Sequence, residues 1–207
     1  MEDVLDLYAE PYDPQRPVVC FDEKPLQLLE EVRVPRPPLP GQPALYDTEY
    51  RRRGTANIFM AVEPLAGRRH VTVTDQRTKL DYARQLQMLA DVCYPDAERI
   101  RLVLDNLSTH TPSALYDAFP PAEARRLARR FELHYTPKHG SWLNMAEVEL
   151  SVLSRQCLDR RIGDQALLAL EVGAWEHARN ADRVRIRWQF TVNDARAKLA
   201  HLYPAQS

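Results

Sequence analysis

Cysteine is scarce in this chain: its 207 residues hold three, Cys20, Cys93 and Cys157, set far apart. Such spacing provides neither a CxxC metal motif nor a disulfide framework, so free thiols, mostly buried, are expected. Long apolar runs are missing as well. No stretch approaches the ~20 residues needed for a membrane helix, and the acidic first six residues lack the basic and apolar regions of a signal peptide. A cytoplasmic protein with no membrane partner is expected. An excess of charge of either sign is the third absence, with 28 Lys and Arg against 29 Asp and Glu. Net charge therefore argues neither for nor against a polyanionic partner, and the local arrangement of cations decides. Short basic groups occur at Arg51-Arg52-Arg53, Arg68-Arg69-His70, Arg125-Arg126 with Arg129-Arg130, and Arg160-Arg161. Each can meet phosphates, although solvated surface charge is the plainer reading. Internal repeats and low-complexity tracts are absent.

What is present is an alternation of strand-like and helix-like segments. The length suits one domain with extensions. Residues 1–16 carry Pro11 and Pro14 among polar residues and read as a connector, followed by a single unit over 17–203. Strand patterns are expected at 18–22, 26–34, 56–62 and 70–74, the last two separated by a turn signal at 64–67. The proline-rich 35–40 is a loop or an edge, since proline lacks the ladder donor. A helical repeat over 78–92 leads to a strand at 100–104, and a second helical region broken at Pro120-Pro121 leads to a strand at 131–135. Helices follow after Asn144 and over 165–179, then a strand-like 184–190 and a short helix at 194–202. This order fits an α/β mixed sheet flanked by helices.

Three acids stand where strands end or a helix begins. Asp22 closes one apolar run, Asp105 closes another, and Glu147 opens the helix after Asn144. Adjacent parallel strands lie roughly 4.8 Å apart, so two such carboxylates and a third from a helix can share a pair of divalent ions about 3.5 to 4 Å apart. Magnesium prefers hard oxygen ligands of this kind and keeps room for substrate phosphates. The identity of the third acid stays open, because Glu147 and Glu149 point roughly 200° apart around a helix. Glu147 ranks first, and Glu149 is expected to pair with Arg155 or to reach solvent. Glu23 points to the opposite strand face and is read as structural, or as orienting a metal ligand. Asn106 and His110, after the second acid, can contact a phosphate or a metal-bound water, and Lys138, His139 and Trp142 can grip or stack on a nucleic acid strand. For Trp142 alone, core packing is the plainer reading.

Taken in order, Val-Val-Cys-Phe-Asp22-Glu23, Leu-Val-Leu-Asp105-Asn106 with His110, and Tyr135-Thr-Pro-Lys-His-Gly-Ser-Trp-Leu-Asn144-Met-Ala-Glu147 resemble the DDE endonuclease domain of bacterial insertion-sequence transposases related to the mariner group. The resemblance implies an RNase H-like fold with a mixed five-stranded sheet flanked by helices and a C-terminal helical extension. It also implies Mg²⁺- or Mn²⁺-dependent cleavage and strand transfer at transposon ends, with Asp22, Asp105 and Glu147 as the catalytic, metal-binding acids. The partners implied are inverted-repeat ends and target DNA in the nucleoid, a second copy of the chain, and an upstream helix-turn-helix polypeptide, for which this chain has no room before Asp22. A non-transposing RNase H-like nuclease and a catalytically inactive DNA-binding relic are the alternatives. Two departures from the family pattern are a long interval between Asp105 and Glu147, and Lys24 where a small hydroxyl residue is expected.

Overall fold

The computed structural model describes residues 1–33, 36, 38–42, 48–106 and 110–203. A five-stranded sheet in the order β3-β2-β1-β4-β5 forms its centre. β1 (Val18–Glu31) and β2 (Tyr50–Glu63) pair antiparallel, β2 and β3 (Arg68–Thr74) form a hairpin, and β4 (Ile100–Leu104) and β5 (Phe131–Tyr135) join in parallel on the other side of β1. The mixed sheet expected from the order of elements is therefore present. Both parallel joins are made through helical crossovers, as a parallel pair requires.

Alternation along β1 divides the core in two. Cys20, Met60 and Val103 face one layer with Leu143, Ala146, Leu150 and Leu153, while Val19, Phe21, Phe59 and Leu102 face the other with Tyr82, Leu86 and Leu115. The first layer is covered by α1 (Glu2–Ala9), α5 (Met145–Gln156) and α6 (Gln165–Ala181). The second is covered by α2 (Lys79–Met88), its π-helical continuation Leu89–Cys93, α3 (Ser113–Ala118) and α4 (Pro121–Ala128). Helix starts follow local chemistry: Thr78 and Asp81 form a reciprocal cap on α2, Asp164 caps α6, and Thr191 with Asp194 caps α7 (Val192–Lys198).

Four expectations are corrected. Residues 26–34 are not a separate strand, since the described part of them to Glu31 continues β1 without interruption, with a bulge between Gln27 and Leu29. Pro25 is tolerated inside this strand because β4 pairs only with residues 18–20, which leaves β1 with no strand partner on its far edge at Pro25. Val34 and Pro35 lie outside the described residues. The stretch read as a connector carries α1, whose Val4, Leu5 and Leu7 are buried against the first core layer. Residues 184–190 join no sheet, yet their side chains alternate as a strand's do: Val184, Ile186, Trp188 and Phe190 turn inward and the residues between them outward. All three cysteines are free, but only Cys20 is fully buried.

Candidate active site

Pairing between β1 and β4 runs Val18 to Arg101, Val19 to Leu102 and Cys20 to Val103. Two residues further along both strands stand Asp22 and Asp105, level with one another and in phase with Cys20 and Val103, which face the layer under α5. Because β4 ends at Leu104, no ladder continues between the two acids. The sheet opens there.

Glu147 is brought to the same place by Asn144. This fully buried side chain donates from Nδ2 to the Phe21 carbonyl at 2.8 Å, and its oxygen accepts the Ala146 N–H at 3.2 Å. One carboxamide thus caps α5 and anchors the helix to the strand residue before Asp22. The approach to α5 is held from below as well, where Tyr8 of α1 donates to the Leu143 carbonyl at 2.7 Å and lies 3.2 Å from the Cys20 sulfur.

Asp22 senses the other two carboxylates. Asp22 is half-buried, and its acid is pushed up to about 7, first by burial and then by the negative charges of Glu23, Asp105 and Glu147; the Glu23 N–H, at 2.8 Å, pulls the other way. Among the described residues no three His, Cys, Asp or Glu side chains are gathered tightly enough to hold a metal ion as they stand. The donors nevertheless fit a hard divalent cation by their chemistry: three carboxylates carried on a strand, a strand end and a helix, with negative charge crowding the half-buried Asp22.

Behind Asp105 lies a linkage that sequence reasoning did not see. His110, buried and 1% exposed, has its Nδ1 2.6 Å from Asp105 Oδ1 and its Nε2 3.0 Å from Glu23 Oε2. Its ring packs between Phe21 and Tyr82, and its carbonyl accepts from the Tyr135 hydroxyl at 2.8 Å. Burial alone would lower the imidazole pKa, but the hydrogen bonds to Asp105 and Glu23 prevail and raise it to about 9. His110 therefore sits enclosed, a charged bridge between an acid of the site and one on the opposite face, rather than open to a phosphate.

Glu149 is corrected from its sequence reading. It is buried, and its Oε1 accepts from Arg69 Nε at 2.9 Å and from Arg179 Nε at 2.8 Å, not from Arg155. The helical offset that separates it from Glu147 turns it into the junction of α5, β3 and α6. Asn106 is exposed beside Asp105, and Lys138 and His139 are exposed in the turn after β5, His139 with a left-handed φ of 63°. Trp142 is 43% exposed and joins Trp188 and Phe190 in a surface aromatic cluster instead of entering the core. Lys24, in phase with Asp22, reaches α5 and donates to the Ser154 hydroxyl at 2.5 Å.

The family model for the DDE superfamily endonuclease matches residues 17–169. The chain belongs to this family. Solved structures similar to this DDE endonuclease include the Mos1 mariner paired-end complex with Mn, 17% identical with a TM-score of 0.58 over 87% of this chain and 55% of that one. The Mos1 strand transfer complex is 16% identical with a TM-score of 0.58 over 87% and 55%. The Mos1 transposase paired-end complex with left transposon end is 17% identical with a TM-score of 0.59 over 92% and 58%. At this identity the likeness establishes the fold, an RNase H-like mixed sheet flanked by helices. The chain spans a little over half the length of the Mos1 chains it matches. A search of curated proteins finds no match. No helix among the described residues is long and apolar enough to cross a membrane.

Proposed function

We propose that this DDE endonuclease is the catalytic unit, spanning residues 17–203, of a transposase that cuts DNA at transposon ends and joins them to target DNA. The observation that supports the reading is that Asp22 stands level with Asp105 at one open sheet edge, where burial raises the Asp22 acid and the charges of Asp105 and Glu147 add to that rise. Asp22 and Asp105 would hold Mg²⁺ or Mn²⁺ from the strand side and Glu147 from the helix side. Bound divalent ions would supply Lewis-acid stabilisation and activation of water or a 3′-hydroxyl for in-line attack on a phosphodiester. The acids act as ligands and form no covalent bond to DNA.

The rest of the chain keeps those ligands in place. Asn144 sets the height of Glu147 over β1, and the Glu23–His110 pair limits the swing of Asp105. Exposed Asn106, Lys138, His139 and Trp142 around this edge are the nearest candidates to touch the strand being cut. By analogy with the paired-end complexes, two copies would act on two ends in the cytoplasm, with a helix-turn-helix polypeptide supplying end recognition.

The test is nicking and strand transfer of a labelled duplex carrying the element's own ends, in Mg²⁺ or Mn²⁺. Asp22→Asn, Asp105→Asn and Glu147→Gln should each abolish both products while the protein remains folded. Nicking without joined product would mark a non-transposing nuclease. A folded wild-type chain that yields neither would mark a relic.

A further inference from the structure

We propose that Arg183, Arg185 and Arg187, with Arg68 beside them, form a seat for the phosphodiester backbone of duplex DNA, separate from the carboxylates and leading toward them. This deepens the reading of the chain as a DNA-cutting enzyme and rests on it.

The extended segment after α6 supplies the row. Val184, Ile186, Trp188 and Phe190 turn inward, so Arg183, Arg185 and Arg187 are all exposed on the outer side. Residues two apart in an extended chain are separated by roughly 6.6 Å. The segment is fixed rather than loose. Ile186 N–H donates to the Pro64 carbonyl at 3.0 Å, and Arg183, held at a left-handed φ of 48°, lies so close over Gly67 that a Cβ there would come within 2.5 Å of the Arg183 carbonyl oxygen. A non-glycine residue in that region carries strain, which persists only where its surroundings impose it.

Beneath the row is an open cavity of about 590 Å³, lined by Arg68, Arg183 and Arg185 together with Tyr12, His70 and Asn180, and by no acid. Glu63, the carboxylate whose charge Arg68 senses, is itself buried and 2% exposed. Several exposed arginines elsewhere are paired locally, Arg53 with Glu30, Arg126 with Asp91 and Glu123, Arg160 with Glu171 and Arg161 with Glu31, and what distinguishes this group is that it gathers along one segment and around one acid-free cavity. The guanidinium groups of Arg68, Arg183, Arg185 and Arg187 have no ion pair or hydrogen bond among the described residues. Four unpaired cations gathered in one place call for an external anion.

A repeating row suits a polyanion better than a single ion. Each strand of a duplex presents a phosphate about every 3.4 Å along its axis, so alternate arginines can meet about every second phosphate. The direction also fits. The segment leads from the β2–β3 turn to Trp188 and Phe190, which pack on exposed Trp142, and Trp142 stands in the 3₁₀ turn that enters α5 and Glu147.

The experiment measures binding of a fluorescein-labelled duplex by anisotropy, in EDTA, across a salt series. The variant is Arg68→Gln/Arg183→Gln/Arg185→Gln/Arg187→Gln, and a charge-matched control replaces the ion-paired Arg84, Arg99, Arg126 and Arg196 by Gln. The row variant should bind at least tenfold more weakly near 0.1 M salt, and its slope of log K against log salt should fall by about 0.9 for each phosphate it no longer neutralises. The control should keep the wild-type slope. Arg185→Glu/Arg187→Glu, which leaves the strained position intact, should repeat the loss. An unchanged slope in the row variant, an equal loss in the control, or displacement of the duplex by inorganic phosphate at constant ionic strength overturns the proposal. If the row variant keeps wild-type binding while Asp22→Asn abolishes nicking, only the arginine seat falls. If the row variant loses binding while Asp22→Asn nicks normally, the catalytic reading falls and the seat stands.

Discussion

Asn144 Nδ2 donates to the carbonyl oxygen of Phe21 at 2.8 Å, joining the N-terminus of α5 to β1 one residue ahead of Asp22. Through this bond the third acid's position is fixed by a neutral residue that is itself fully buried. Asn144→Ala removes a helix cap and strands a buried carbonyl, which costs about 2 kcal/mol. Chemical denaturation should show that loss, and nicking should fall more than tenfold even at temperatures where the variant is folded. Normal nicking by a destabilised Asn144→Ala would separate the cap from the site.

Glu147 and Glu149 should separate cleanly by what they damage. Glu149→Gln leaves Arg69 buried without its counter-charge, a change of the kind that costs about 3–5 kcal/mol. Its thermal midpoint should drop sharply. Glu147→Gln relieves repulsion at the site, so its midpoint should hold or rise while nicking disappears. Loss of activity by Glu149→Gln with an unchanged midpoint would return the catalytic role to Glu149.

The raised acid of Asp22 sets a pH dependence for the metal-free protein. Its carboxyl holds a proton up to about 7 in the folded chain but releases it near 3.8 when unfolded. Between these values the folded state binds more protons, so this group's contribution falls as pH rises and is lowest above 7. In EDTA, Asp22→Asn should raise the melting temperature at pH 8 and change it little at pH 4. An equal gain at both would show that charge at this site is not what the fold resists.

His110 makes the opposite demand. Its pKa is raised to about 9 in the folded chain, so its contribution is complete below 6.5 and is lost as pH rises through 9. His110→Phe keeps the aromatic contact with Phe21 and Tyr82 but leaves Glu23 buried with Arg77, at 3.9 Å, as its remaining ion-pair partner among the described residues. The variant should lose about 2–3 kcal/mol at pH 7, measured by urea unfolding, and its deficit should shrink by pH 10. Full stability at pH 7 would mean that the bridge from Glu23 to Asp105 contributes nothing to the fold.

Much of this arrangement is written locally in the chain. β4 is a short, mostly apolar run, β5 alternates apolar with polar residues, and α5 and α6 begin at Asn144 and Asp164, so pattern and capping place them closely. What escapes a local reading depends on distant partners. Pro25 argues against a continuous β1 until the early end of β4 pairing is seen to leave that edge open. α1 is too short and too polar in its surroundings to announce itself, and it forms because the first core layer receives Val4 and Leu5. The basic groups read from adjacency are partly broken up, since Arg69 turns inward to Glu149 while Arg126 and Arg160 meet nearby carboxylates. The unpaired row hides in an alternating pattern, where arginines two apart share a face but do not look like a cluster. His110 sits five residues beyond Asp105, and nothing local ties it to Glu23 on another strand.

Mn²⁺ binding, followed by calorimetric titration of the wild-type chain and of Asp22→Asn, Asp105→Asn and Glu147→Gln, tests the meeting of the three acids most directly. Saturable binding in the wild type that is lost or weakened at least tenfold in every variant, with Glu149→Gln unaffected under conditions where it is folded, is the expected result. Absence of binding in a folded wild-type chain, or binding that all three substitutions leave intact, contradicts it.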